Sequence, residues 1–172
     1  ELLFRAFLLT LLAAVVLFLA RLLFGPLSRN DEPLRARGAV RRWFVAGLIA
    51  NTGQSVAFAL LHGRNPNVTP LALLNIGLAG AVLGWLYWGQ GGILGCWTLH
   101  VLWNFTLAAL ALPVSGMTMA APVFATGIRG AGLTPLSGGA FCPEGSLLDT
   151  AGLAVLLAVL VRRTAQRLPS GY

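Results

Sequence analysis

Both histidines of this chain lie in apolar segments, and each has a partner residue four positions away. Phe58 and His62 form one pair, and His100 and Asn104 form the other. Residues four apart lie on the same face of a helix, so each pair should present its two side chains to one side. Polar side chains in apolar surroundings are costly, and they persist mainly where they pair or take part in chemistry.

Glu1 and Arg5 repeat the spacing of four at the start of the chain. Alone, this pair fits a neutralised structural couple as well as a site, and a lone intramembrane histidine is often only a hydrogen-bond partner. Together, a carboxylate, two imidazoles and an amide are the groups of a hydrolytic site. A Glu–His couple can act as general base, and a second His with an Asn can stabilise an oxyanion. The same groups, Glu1, His62 and His100, could instead hold Zn²⁺.

The composition indicates an integral membrane protein. Of the 172 residues, 57% are hydrophobic and 10% are charged, whereas a soluble domain carries about 25% charged residues. The net charge is +7, and the arginines of the chain concentrate in residues 29–42 and 162–167. This distribution is typical of cytoplasmic flanks, so membrane topology explains the basic excess better than nucleic-acid binding does. Cys96 and Cys142 form neither a disulfide framework nor a metal-binding spacing.

Five apolar runs, separated by turn or charge signals, predict an all-α polytopic transmembrane helix bundle. Ser28–Arg42 is expected to be a polar connection, and 114–145 a long Gly- and Pro-rich loop of the kind that is often functional. Thr69 before Pro70 predicts a capped helix start. The predicted spans are Leu2–Phe24, Trp43–His62, Pro70–Trp88, Ile93–Leu112 and Leu147–Val161.

Two further features predict how the third span packs and where the fifth span begins. Gly77, Gly80 and Gly84 form a small-residue face on the third span, which would allow another helix to approach closely in lipid. Ser146 and Asp149 resemble a capping box at the start of the fifth span, with Asp in place of the usual Glu.

The three polar pairs, taken in order, resemble the motifs of the CAAX protease and bacteriocin-processing (CPBP) family, which includes the type II CAAX prenyl endopeptidases. The family motifs are Glu-Glu-x-x-x-Arg, Phe-x-x-x-His and His-x-x-x-Asn. Here they stand as ELLFR at 1–5, FALLH at 58–62 and HVLWN at 100–104. The segments PNVTPLALLNI and GGAFCPEGS also resemble family segments. Each motif alone is weak, but three in order over nearly the whole of residues 1–172 are specific.

The resemblance implies one intramembrane endopeptidase domain over residues 1–172. In the family, the first glutamate of the first motif and the histidine of the second activate a water. Carried over, His62 is that histidine, Glu1 and Arg5 shape the first-motif helix, and His100 and Asn104 stabilise the oxyanion. No cofactor is expected, with Zn²⁺ as the alternative. The expected partners are the lipid bilayer and a peptide or protein substrate, either prenylated or a bacteriocin precursor, and the expected location is the bacterial plasma membrane.

Two other functions compete with this interpretation. One is a non-catalytic membrane scaffold or bacteriocin self-immunity factor of the same family. The other is a bis-His haem protein with His62 and His100 as ligands, which a visible absorption spectrum would reveal. The side of the membrane is also open. Charge counting puts the His62 end outside, whereas the resemblance to CAAX processing puts the active site towards the cytoplasm.

The family spacing makes a prediction about the sequence upstream of Glu1. Because Glu1 lies four residues before Arg5, it corresponds to the second glutamate of the family pair. We therefore expect a glutamate immediately before Glu1, and further spans before that. The upstream gene sequence checks this, and a hydrophobic residue at that position would favour the non-catalytic alternative.

Overall fold

The computed structural model describes residues 2–26, 32–118 and 134–167. Six helices run through these residues, with 3₁₀ turns at Gly139–Phe141 and Pro143–Gly145 and no strand in the described part. The first eight residues of the first helix, Leu2–Leu9, have the wider π-helical geometry. The helices are α1 Leu2–Phe24, α2 Glu32–Leu61, α3 Pro70–Gln90, α4 Ile93–Ala109, α5 Thr134–Ser137 and α6 Leu147–Arg167.

Large apolar side chains cover the outside of the bundle, and polar ones are buried inside it. Leu23 is 76% exposed and Leu148 is 67% exposed. The buried polar set includes Arg5, Gln54 and Asn75. Lipid favours this arrangement because it solvates apolar side chains and offers polar ones no hydrogen-bond partner. The prediction of an all-α membrane helix bundle is confirmed, and the protein is an integral membrane protein.

The helices differ in how well their length and composition suit a complete membrane crossing. Within the described residues, three helices are long and apolar enough to cross a membrane, namely Leu2–Phe24, Ala36–Leu61 and Pro70–Gln90. The fourth helix is apolar but shorter, since it ends at Ala109 and not at the predicted Leu112. The sixth helix has 21 residues but includes one aspartate and three arginines. All five predicted spans are helices, and three of them meet both the length and the composition expected of a complete crossing.

Two further predicted helix boundaries were also wrong. The polar connection expected over Ser28–Arg42 is helical from Glu32 onward, because Arg, Ala and Leu are good helix formers even where they are not apolar enough to lie in lipid. The second helix ends at Leu61, so His62 lies in the turn that follows.

The predicted cap at Thr69 is confirmed, and at Ser146 the hydroxyl half of the predicted capping box forms, while the Ser146 backbone N–H bonds to the Pro143 carbonyl and not to Asp149. The Thr69 side chain accepts a hydrogen bond from the backbone N–H of Ala72 at 3.1 Å, with Pro70 at the first helical position. The Ser146 hydroxyl accepts from the backbone N–H of Asp149 at 3.1 Å. These bonds satisfy backbone donors that the first helical turn leaves unpaired.

The predicted glycine face on α3 brings that helix close to α2. A Cβ at Gly80 would lie 3.2 Å from the Phe58 ring, and one at Gly84 would collide with the amides of Asn51 and Gln54. This approach lets side chains of α2 reach the backbone of α3. The Asn51 amide donates to the Ala81 carbonyl at 2.9 Å, and the Gln54 amide donates to the Gly80 carbonyl at 3.0 Å.

The arginine-rich stretches 36–42 and 162–167 lie at one end of the bundle, which we call the basic end. At this end Trp43 stacks on Trp88 with ring centroids 5.0 Å apart, and Trp85 donates to the Thr164 hydroxyl at 3.1 Å. Arg42 donates to the carbonyl of Gly25 at the end of α1, at 3.0 Å. The start of α1 and the end of α2 therefore lie at the opposite end.

Gly84→Ala should destabilise the bundle because the added methyl group would push α3 away from the buried amides of α2. Overpacking of this kind costs about 1–3 kcal/mol. Thermal unfolding of the purified protein in detergent measures the effect. Gly152→Ala in α6 is the matched control, since a Cβ there meets nothing within 4 Å. Equal melting temperatures for the two variants would contradict the close approach.

Candidate active site

The phenyl ring of Phe58 is the point at which side chains from all three predicted motifs meet. The Arg5 guanidinium carbon lies 4.8 Å from its centroid. The His62 ring centroid is 4.6 Å away and the His100 ring centroid is 6.2 Å away. Both imidazoles therefore contact the same phenyl ring.

Arg5 reaches this cluster from the π-helical start of α1 and is fully buried. One guanidinium nitrogen donates to the side-chain oxygen of Gln54 at 2.6 Å. Gln54 is also fully buried, and its amide nitrogen donates to the Asn51 side chain at 2.7 Å and to the Gly80 carbonyl. These bonds orient the Gln54 oxygen towards Arg5, while the Phe58 ring adds a cation–π contact.

The position of His62 just beyond the end of α2 fixes its tautomer. Its backbone N–H bonds to the Ala59 carbonyl at 2.9 Å, three residues back, which leaves the Phe58 carbonyl without its usual helical donor. The His62 Nδ1 lies 2.7 Å from that carbonyl oxygen. A carbonyl can only accept, so Nδ1 must carry the proton, and in the neutral imidazole Nε2 holds the lone pair. Nε2 is therefore the atom that is available to act as a base.

His100 and Asn104 lie one turn apart on α4, and both are partly buried. His100 borders a cavity of ≈ 630 Å³ between α3, α4 and α6, and the Phe58 ring forms part of its wall. Asn104 is not part of the wall, and its amide has no hydrogen bond to the described residues. Most of the wall is aliphatic, with contributions from Ile76, Val82, Leu83, Leu99, Leu153 and Leu156.

The polar part of the cavity wall centres on Glu144, which is 9% exposed. Its carboxylate accepts from the Trp103 indole at 3.1 Å and from the backbone N–H of Ser115 at 2.5 Å. The Asn75 amide donates to the backbone carbonyl of Glu144 at 2.9 Å. In the neighbouring turn, burial and then the Glu144 charge raise the pKa of the Cys142 thiol.

The structure thus brings Arg5, His62 and His100 together, with Asn104 one turn beyond. Glu1 lies outside the described residues. No three His, Cys, Asp or Glu side chains in the described ranges are grouped as metal ligands would be. The alternative zinc set of Glu1, His62 and His100 stays a prediction, because Glu1 is part of it.

Sequence reasoning missed four buried polar side chains that lie next to Arg5 or along the cavity wall. Each is an amide or a carboxylate within apolar or glycine-rich sequence, which is itself a signal, since such groups need partners when buried. Their partners lie far along the chain and could not be identified from spacing. They are Asn51, Gln54, Asn75 and Glu144.

A family model described as "Rce1-like: Type II CAAX prenyl endopeptidase Rce1-like" matches residues 1–106, which is more than half of the chain. The matched range contains the three motifs and Phe58. No curated protein and no solved structure matches the chain.

Gln54→Leu should destabilise the protein because it removes a buried acceptor from the Arg5 guanidinium. Hydrogen bonds to charged groups contribute about 1.5–3 kcal/mol, and we expect a loss of that size in the free energy of unfolding. Urea unfolding in detergent measures it. Thr52→Ala is the matched control, since Thr52 is exposed and bonds only to its own helix, at the Leu48 carbonyl.

A double variant, Arg5→Met with Gln54→Leu, should recover part of that loss, because an apolar pair of similar volume needs no acceptor. If the double variant is less stable than Gln54→Leu alone, Arg5 is held mainly by other contacts.

Proposed function

Because the chain belongs to the Rce1-like family of type II CAAX prenyl endopeptidases, we propose that it hydrolyses peptide bonds through a water activated by a first-motif glutamate and His62. Membership of the family indicates an intramembrane protease in general terms. The catalytic roles assigned to individual residues are our proposal. The observation that carries it is the convergence of Arg5, His62 and His100 on the Phe58 ring, beside a cavity.

In this mechanism the carboxylate and the Nε2 of His62 remove a proton from water as its oxygen attacks the scissile carbonyl carbon. The Phe58 carbonyl supports this role of His62 by holding the proton on Nδ1. When the tetrahedral intermediate collapses, the C–N bond breaks and the leaving amine takes up the proton. Glu1 and Arg5 shape the helix that presents the carboxylate.

His100 and Asn104 are proposed to donate hydrogen bonds to the oxyanion that develops on the carbonyl oxygen. Their places on consecutive turns of α4 support this role, because both can face one oxygen from the same helix. The mechanism uses no metal. The alternative, a Zn²⁺ held by Glu1, His62 and His100, would instead polarise the carbonyl or activate the water.

The cavity beside His100 is proposed to receive the apolar part of the substrate. Its volume of ≈ 630 Å³ falls in the range of small-molecule sites, and its wall is mostly aliphatic. A prenyl chain attached to the substrate cysteine would fit this chemistry, and the apolar segment of a bacteriocin precursor is the competing occupant. We place the enzyme in a bacterial plasma membrane.

Cleavage of an internally quenched peptide ending in farnesyl-Cys-Val-Ile-Met by the full-length protein in detergent tests the proposal. His62→Ala should abolish turnover. His100→Ala and Asn104→Ala should each lower kcat by on the order of 10²–10³, as the loss of known oxyanion donors does. Arg64→Ala, an exposed residue next to the site, is the control and should keep full activity.

Exhaustive chelation should leave the activity unchanged, with metal content assayed in parallel. Activity that is lost on chelation and restored by stoichiometric Zn²⁺ would overturn the metal-free mechanism. If the farnesylated peptide, its unprenylated form and a bacteriocin precursor all stay intact, the non-catalytic alternative gains support. Full activity in His62→Ala would rule out its role as a base.

A further inference from the structure

Glu144 is a buried carboxylate that the proposed mechanism does not use. One of its carboxylate oxygens accepts from the Trp103 indole of α4, and the other accepts from the backbone of Ser115, in the segment after α4. Its backbone carbonyl accepts from Asn75 of α3. A single residue therefore joins α3, α4 and the segment that follows α4.

The fourth helix is only partly enclosed by the described part of the bundle. Much of it faces outward, with Trp97 52% exposed, Leu102 57% exposed and Phe105 63% exposed. It packs against α3 and touches the start of α1, and near its end Leu107 joins a small apolar cluster with Leu112, Val114 and Cys142. The bond from Trp103 to Glu144 is a directional contact beside the site, and a directional contact resists rotation better than apolar packing does.

Trp103 lies between the two proposed oxyanion donors, three residues after His100 and directly before Asn104. Trp103, His100 and Glu144 all border the same cavity. We propose that Glu144 is a positioning residue: by holding the Trp103 indole it sets the rotation of α4, and so directs His100 and Asn104 at the scissile carbonyl. This inference rests on the function proposed above.

A carboxylate is needed at position 144 because two N–H donors converge on it. The Trp103 indole and the Ser115 backbone each donate to a different oxygen. A glutamine has one acceptor oxygen and one NH₂ group, so it would set a donor against one of these donors. Glu144→Gln thus removes one contact with little change in shape, and Trp103→Phe removes the indole donor while an aromatic ring remains.

Both variants should lower kcat on the farnesylated peptide by roughly ten- to a hundredfold, the effect of misplacing a reacting group by about 1 Å. The KM should stay within about twofold, since the aliphatic cavity wall is unchanged. Trp97→Phe is the matched control, because Trp97 lies on the same helix but is half-exposed and away from this cavity. A lower kcat that merely follows the folded fraction of each variant would overturn the proposal.

Combining Glu144→Gln with His100→Ala separates positioning from general destabilisation. If Glu144 acts through α4 and its donors, its substitution should cost much less in the His100→Ala background than in the wild type. If the fold losses in kcat of the two single variants multiply in the double variant, Glu144 acts independently of His100, which contradicts the inference.

A spectroscopic measurement tests the same link without any substrate. In full-length protein labelled with ¹⁵N-histidine, the imidazole resonances are assigned with His62→Ala and His100→Ala. Glu144→Gln should move those of His100 and leave those of His62 in place, whereas Trp97→Phe should move neither. Unchanged His100 resonances would overturn the inference. If the wild type cleaves no peptide while His100 still responds, the proposed function fails and the structural link stands.

Discussion

The fully buried guanidinium of Arg5 constrains a large part of this bundle. Removed from water, it needs acceptors of its own, and Gln54 supplies one at 2.6 Å. That amide is oriented in turn by Asn51 and by a carbonyl of α3. The carbonyl is within reach only because Gly84 leaves room for the two amides. The close packing of α2 on α3 is thus a condition for keeping a cation inside the bundle.

A second polar cluster borders the cavity whose wall includes the Phe58 ring, and it is also anchored on α3. Asn75 of α3 donates to the carbonyls of Glu144 and Ser146, and it accepts from the Thr150 hydroxyl of α6 at 2.6 Å. Glu144 continues the cluster to α4. The third helix therefore contacts both halves of the site. Its glycine face positions α2, and its single asparagine positions the segments around α4 and α6.

Local rules were sufficient to predict much of the fold from the sequence. The cap at Thr69 and the glycine face of α3 depend on neighbours a few residues away, and both were predicted correctly. The motif pairs follow from helical periodicity in the same way. Contacts between distant segments have no such signal: Trp103 and Glu144 are 41 residues apart, and Arg5 and Gln54 are 49 apart. Spacing could mark these residues as polar groups in need of partners, but it could not say which partners.

Other differences between the predicted and the observed helices arose at helix ends. The arginine-rich stretch before Trp43 is helical because charge does not prevent a helix, although it does prevent burial in lipid. The π-helical geometry of Leu2–Leu9 has no sequence signature, and such segments occur often at functional sites. The position of His62 beyond the last residue of α2 depends on a change in the backbone hydrogen-bond pattern of the final turn, which composition does not indicate.

That final turn gives His62 a second property. The carbonyl groups at the end of a helix carry the negative pole of its dipole, and a cation placed there is stabilised by about 0.3–1 kcal/mol. His62 donates to one of these carbonyls, that of Phe58, through its own side chain. In the mechanism proposed above, the proton that Nε2 takes from the attacking water would place a positive charge beside the negative pole of α2. The carbonyl groups of the last turn of α2 would then act as a fixed negative partner that is already oriented before the reaction begins.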